Sequence, residues 1–200
     1  SAVPKLRLTE AEYLAREAAA AFKSEFLRGE SFAMAGASLA HTRIVGNLVG
    51  ELHQLFRGGP CYALPQDLKV KVSATGLYTY PDVIIQCDPP QLEGPRGDVL
   101  LNPTVLIEVL SDSTEQYDRG GKFEHYRRVP SLREYVLVAQ DRPWVERRVR
   151  QPDGSWTMTW FDDPAGAFEL ASAPARVPLA DVYRGLDFPP DRPPPGPTPP

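Results

Sequence analysis

Two dense apolar runs constrain this chain more than anything else in its 200 residues: Asp82-Val83-Ile84-Ile85-Gln86-Cys87 and Thr104-Val105-Leu106-Ile107-Glu108-Val109-Leu110. Neither alternates apolar with polar, so each predicts a strand covered on both faces. Such strands need helices or further strands packed on either side, and a chain of this length can bury a core of that kind. Within the second run Glu108 is out of place. Desolvating an unpaired carboxylate is costly, so a metal, a basic partner or a bound proton must compensate. The blander reading is a strand-end glutamate held by an arginine or by backbone donors. Asp82 opens the other run directly after Pro81. Neighbouring antiparallel strands set the start of one beside the end of the next, which lets Asp82 and Glu108 converge on one hard cation. Taken alone, Pro81-Asp82 reads as an ordinary turn or strand entry.

The remaining elements follow from period and punctuation. Thr9 with Glu12 three residues on is a capping-box pattern, predicting a helix from Thr9 to about Phe22. The segment Glu25 to Gly36 reads as a hairpin turning near Arg28-Gly29. Apolar positions Ile44, Val45, Leu48, Val49, Leu52 and Leu55 recur at helical spacing between Ser38 and Phe56, and Gly58-Gly59-Pro60 ends that run. Cys61–Leu64 and Leu68–Val72 are strand-like, with Lys69 and Lys71 on one face and valines on the other. A Pro/Gly-rich connection spans Asp88–Pro103. Ser113, with Gln116 three residues on, predicts a helix to Arg128 whose Gly120-Gly121 makes an irregular or tightly packed turn. Glu134–Ala139 is a further strand, and Trp144–Arg150 with Trp156–Phe161 forms a hairpin around Pro152-Asp-Gly-Ser. The tryptophans there fit hairpin packing better than base stacking. The reading is therefore an α+β chain: one domain over residues 1–188 and a Pro-rich tail over 189–200.

Composition removes several function classes. The net charge of −4 argues against a surface coated in positive charge for nucleic-acid binding, though not against a local basic strip. No run is long and apolar enough to span a bilayer, and no membrane partner is expected. The two cysteines, Cys61 and Cys87, each sit in an apolar run and read as buried free thiols, with a cytoplasmic location as the default. They could pair only if their strands lay side by side. Two cysteines without a histidine cluster do not make a structural zinc site, and a non-nuclease metal hydrolase would need more His or Cys ligands.

The pattern Tyr80-Pro81-Asp82-Val83-Ile84-Ile85, then Ile107-Glu108-Val109-Leu110-Ser111-Asp112-Ser113-Thr114, then Asp118, Lys122 and Tyr126, resembles the Uma2-type (DUF820) endonucleases of the PD-(D/E)XK superfamily. The resemblance takes in Leu8–Leu14, Glu25–Glu30, Met34–Ser38, His41 and Glu134–Val138, about three-quarters of the chain. It implies a restriction-endonuclease-like core, a central mixed sheet flanked by helices, with the C-terminal hairpin added. It also implies Mg²⁺ or Mn²⁺ held by Asp82, Glu108 and the Val109 carbonyl, with Glu25 as a further ligand, and cleavage of phosphodiester bonds in DNA. One departure stands out. The superfamily lysine lies two residues after the acid, where this chain has Leu110. The resemblance implies that Lys122 replaces it from the following helix, with Tyr126 one turn on.

Competing readings stand beside these. Asp118 and Lys122 could be an ordinary i, i+4 surface pair. Glu25 could be a hairpin charge facing solvent. His41 could approach the site or merely help cap its helix. Lys69 and Lys71 are the best phosphate-binding candidates, their strand being expected close to that of Asp82; Arg127, Arg128, Arg147, Arg148 and Arg150 read as solvated. The aromatic-rich hairpin suits a homodimer. The missing strand lysine and acidic charge would also suit a catalytically inactive nuclease fold used for binding or assembly.

Overall fold

The computed structural model describes residues 7–34, 36–94 and 96–188; the Pro-rich tail lies outside the described residues. In chain order the first elements are α1 (Glu10–Ala19), β1 (Ser24–Leu27), β2 (Glu30–Ala33), α2 (Leu39–Leu55), β3 (Tyr62–Pro65), β4 (Lys69–Val72), β5 (Leu77–Thr79) and β6 (Val83–Gln86). There follow β7 (Leu92–Glu93), β8 (Val99–Leu100), β9 (Val105–Leu110), α3 (Glu115–Tyr117), a π-helical turn (Asp118–Lys122) and α4 (Phe123–Tyr126). The chain continues with β10 (Glu134–Ala139), β11 (Val145–Arg150), β12 (Trp156–Phe161), β13 (Ala167–Glu169), β14 (Arg176–Pro178) and α5 (Leu179–Val182).

The two apolar runs are neighbours. β6 pairs antiparallel with β9 in the register Val83↔Ile107, Ile84↔Leu106, Ile85↔Val105, and both strands are buried throughout. β9 runs parallel to β10, and β11 and β12 complete a mixed six-stranded sheet in the order β12-β11-β10-β9-β6-β3. One face carries Val83, Ile85, Ile107, Val136 and Val138 against Ile44, Leu48 and Leu52 of α2 and against α5. The other face carries Ile84, Leu106, Tyr135 and Leu137 against Val70, Val72, Leu77 and Leu100, with Tyr126, Val129 and Leu132 beside them. Those partners belong largely to a second six-stranded sheet, β2-β1-β5-β4-β8-β7. Its strands are two to four residues long, too short to show a period in sequence, and β7 and β8 arise within the predicted connection.

Local expectations hold where chemistry was local. Thr9 and Glu12 form a reciprocal capping box, although α1 stops at Ala19 because Ala20 turns extended to enter β1. The β1–β2 turn uses Arg28 and Gly29 at positive φ, 50° and 93°. The helix after β9 departs from expectation at its start. It begins after Thr114, and the hydroxyls of Ser113 and Thr114 face Ser111 instead of capping it. Gly120 and Gly121 fall in the π-helical turn, where a Cβ on Gly121 would sit 2.9 Å from Tyr117 Cδ2. The predicted turn is thus both irregular and tightly packed.

The cysteine reading is overturned. Cys61 and Cys87 form a disulfide, with Cα atoms 4.0 Å apart. The cause is register: β3 lies antiparallel to β6 with Tyr62 opposite Gln86, which sets the flanking cysteines face to face. The inference from free thiols to a cytoplasmic location loses its premise. No helix among the described residues is long and apolar enough to cross a membrane. Replacing both cysteines, Cys61→Ala with Cys87→Ala, is expected to lower unfolding free energy by about 3 kcal/mol, from the loss of a loop constraint. Non-reducing chemical denaturation measures this, and an unchanged midpoint would contradict it.

Candidate active site

The β6–β9 register continues one pair beyond the ladder, so Asp82 lies opposite Glu108 on the face shared with Ile84 and Leu106. Both carboxylates are buried, at 4% and 3% exposure, which decides that each needs partners. Asp82 has three. Its Oδ2 accepts from the Val109 backbone N–H at 2.7 Å, while its Oδ1 accepts from Gln66 Nε2 at 2.7 Å and lies 3.0 Å from His41 Nε2. His41 sits one turn into α2, whose N-cap is Ser38, so the capping role falls to Ser38 and the imidazole is free to face Asp82. Gln66 directly follows β3; nothing in Pro65-Gln66-Asp67 signalled this.

Glu108 meets the helical segment. Its Oε1 accepts from the Tyr126 hydroxyl at 2.7 Å and lies 3.0 Å from Lys122 Nζ. The same amine reaches Glu25 Oε1 at 3.2 Å and Asp118 Oδ1 at 3.4 Å. Glu25 points inward from β1 and accepts from Thr79, which stands 3.4 Å from the Tyr126 hydroxyl. A ring of polar contacts thus closes through Glu25, Thr79, Tyr126, Glu108 and Lys122. The surface readings of Lys122 and Glu25 do not hold: Lys122 is 6% exposed and Glu25 is largely covered. The wide π-helical turn carries Asp118 and Lys122 inward together, and Tyr135 anchors it by donating to the Asp118 carbonyl at 2.9 Å.

Four carboxylates therefore crowd one lysine and one histidine, and the titration of the group reflects it. Burial pushes the Glu108 carboxyl up to about 8; Lys122 opposes this, while Asp82 and Asp118 add to it. Asp118 is raised too, chiefly by burial, with Lys122 and Thr114 opposing. Burial would lower Lys122, yet Glu108, Glu25 and Asp118 together hold it well above the ordinary lysine range. Burial would also lower His41, but the adjoining Asp82, with Asp118 and the Val109 backbone, raises it. This surplus of negative charge and the all-oxygen donor set fit a hard divalent cation. Among the described residues no three or more His, Cys, Asp or Glu side chains surround one metal-sized point. Mg²⁺ needs only one or two carboxylates, with water and phosphate oxygens completing its shell. The floor opens into a cleft of about 320 Å³ whose rim includes Phe32, Met34, Ser111, Thr114, Tyr117 and Gln140.

Lys69 and Lys71 are elsewhere. β4 belongs to the second sheet, pairing with β5 and β8 and not with β6. Its valines face the main sheet, which leaves the lysines on the opposite face. There Lys69 pairs with Asp98 at 3.1 Å, and Lys71 with Glu10 at 3.0 Å and Glu93 at 2.8 Å. Neither lines the cleft. Arg148, read as solvated, is buried, pairing with Glu146 at 2.6 Å.

Glu108 binds its proton more tightly folded than unfolded, where the value is 4.5. Its contribution is therefore full below pH 4.5 and lost as pH rises through about 8. In metal-free buffer, Glu108→Gln should gain stability over the parent across that window, on the order of 2–4 kcal/mol. Melting temperatures of both proteins against pH read this out; parallel curves would contradict it.

The chain is similar to several known proteins. The model of the Uma2 family, described as "Putative restriction endonuclease", matches residues 10–176. An uncharacterized protein of Synechocystis, slr1290, is 34% identical over 185 residues, covering 92% of this chain and 96% of its own. A second from the same organism, sll1609, is 37% identical over 153 residues, covering 76% and 86%. A crystal structure from Anabaena variabilis, titled a putative nuclease belonging to DUF820, superposes with a TM-score of 0.70 at 17% identity, covering 88% of this chain and 97% of that one. That likeness concerns the fold, a mixed α+β architecture of the restriction-endonuclease-like kind. With residues 10–176 matched by one family model and two relatives more than 30% identical over most of the chain, this protein belongs to the Uma2 family.

Proposed function

We propose that the protein is a metal-dependent nuclease that hydrolyses phosphodiester bonds in DNA. The observation that carries this reading is the buried carboxylate pair on adjacent strands, Asp82 and Glu108, with the Lys122 amine 3.0 Å from Glu108. Membership of a family described as restriction endonucleases supports the nuclease class. Asp82, Glu108 and the Val109 carbonyl would hold Mg²⁺ or Mn²⁺, with Glu25 as a further donor. The bound ion would lower the pKa of water and offset charge on the phosphate.

The chain's own groups supply the rest. Lys122 keeps its proton, because Glu25 and Asp118 remain beside it even when Glu108 is neutral. It therefore acts as a fixed cation, steadying the attacking water and the charge that develops on the phosphate, and not as a base. Tyr126 fixes the Glu108 carboxylate through its hydroxyl and so sets the position of the amine beside it. His41 and Gln66 do the same for Asp82 from the other side.

Of plasmid, linear and single-stranded DNA incubated with Mg²⁺ or Mn²⁺, at least one form should be cleaved by the parent protein and not measurably by Asp82→Asn or Glu108→Gln. Lys122→Met should fall about 100- to 1,000-fold, the usual cost of removing one charge-stabilising donor. Cleavage that persists undiminished in the two carboxylate variants would show that the nicking comes from elsewhere.

A further inference from the structure

Two aromatic rings at the cleft rim have no role in the chemistry above. Phe32 lies directly opposite Glu25 in the β1–β2 hairpin, so the two side chains share a face, and the ring stands beside the carboxylate cluster. Tyr117 immediately precedes Asp118, and its ring lies against Gly121, where any Cβ would collide with it. Glu25, Lys122, Asp118 and Glu108 all lie within electrostatic reach of its phenol. Both rings are open to solvent, Phe32 at 48% and Tyr117 at 39% exposure. Among the described residues, neither packs against another aromatic ring.

The rim is equally notable for its charge. Of the described side chains lining the cleft, only His41 and Lys122 can be cationic, and both are engaged by the carboxylates of the floor. Lys69 and Lys71 are neutralised on another face. Duplex binding relies on rows of cations against phosphates, and the cleft offers none. Aromatic faces offer the alternative, because any unpaired base can stack on them whatever its sequence. A cleft of about 320 Å³ also has the scale of one nucleotide and not of a helix groove.

Resting on the nuclease reading, we infer that the substrate enters as an unpaired strand. One base is seated against Phe32 and Tyr117 while its phosphate lies over the carboxylate floor. Double-stranded ends or bulges serve only insofar as they release a base.

The test is equilibrium binding of a fluorescent oligothymidylate, and of the matching adenine–thymine duplex, to the whole protein in Ca²⁺, so that a cation stands between the phosphate and the carboxylate floor. The single strand should bind at least tenfold more tightly than the duplex, with a shallow dependence on salt. Phe32→Ala should weaken strand binding by about tenfold and Phe32→Trp should restore it. Tyr117→Leu should behave like Phe32→Ala, and Tyr117→Phe like the parent. Equal or tighter binding of the duplex, a steep salt dependence, or an unchanged Phe32→Ala affinity would each overturn the inference. The readout is independent of cleavage. A protein that cuts duplex plasmid yet shows no ring-dependent strand binding refutes this inference alone, whereas ring-dependent binding without cleavage refutes the nuclease reading alone.

Discussion

A single buried amine holds this molecule's functional end together. Lys122 has no solvent to shelter its charge, so it must be matched by side chains, and it takes them from three places: Glu25 on β1, Glu108 on β9 and Asp118 on its own helical turn. Each belongs to a different layer of the fold. The second sheet, the main sheet and the helical segment are thereby tied at one point, where losing the amine would leave buried carboxylates without their cation. The hydroxyls of Thr79 and Tyr126 lock the same point by donating to the carboxyl groups of Glu25 and Glu108.

On the proposed nuclease reading, the arrangement also accounts for an amine that reaches Glu108 from outside its strand. Position 110 is a leucine packed into the face between the two sheets, where a strand amine would have competed with that packing. An amine on the helical segment stands close to Glu108 and leaves the strand end to apolar contact. The π-helical turn makes this possible, since it widens the helix where Asp118 and Lys122 both face inward. Gly121 within it takes away the side chain that would obstruct Tyr117.

What could be read from the sequence follows the reach of each interaction. The central strands were legible because density of apolar residues survives without any partner, and Glu108 because a carboxylate in such a strand violates burial chemistry. Pairing of Asp82 with Glu108 needed only adjacency and strand direction. Gln66 could not be foreseen, since its role depends on where the edge strand β3 ends in space. The lysines of β4 misled for the same reason: alternation gave the correct face but not the sheet to which the strand belongs. The disulfide was missed because two cysteines in separate apolar runs look alike whether their strands touch or not. The Uma2 resemblance supplied Lys122 and Glu25, which spacing alone would have left on the surface.

The ladder between β6 and β9 places the two acids by parity, and parity is unforgiving. Adding or removing one residue inside either strand would turn every side chain beyond it to the opposite face, sending a carboxylate into the layer beneath α2. The stretch between the strands is held by a ladder of its own, since β7 and β8 join the second sheet and Leu100 is buried against the main one. The spacing from Pro81 to Gln86 and from Thr104 to Leu110 is therefore closed to gain or loss.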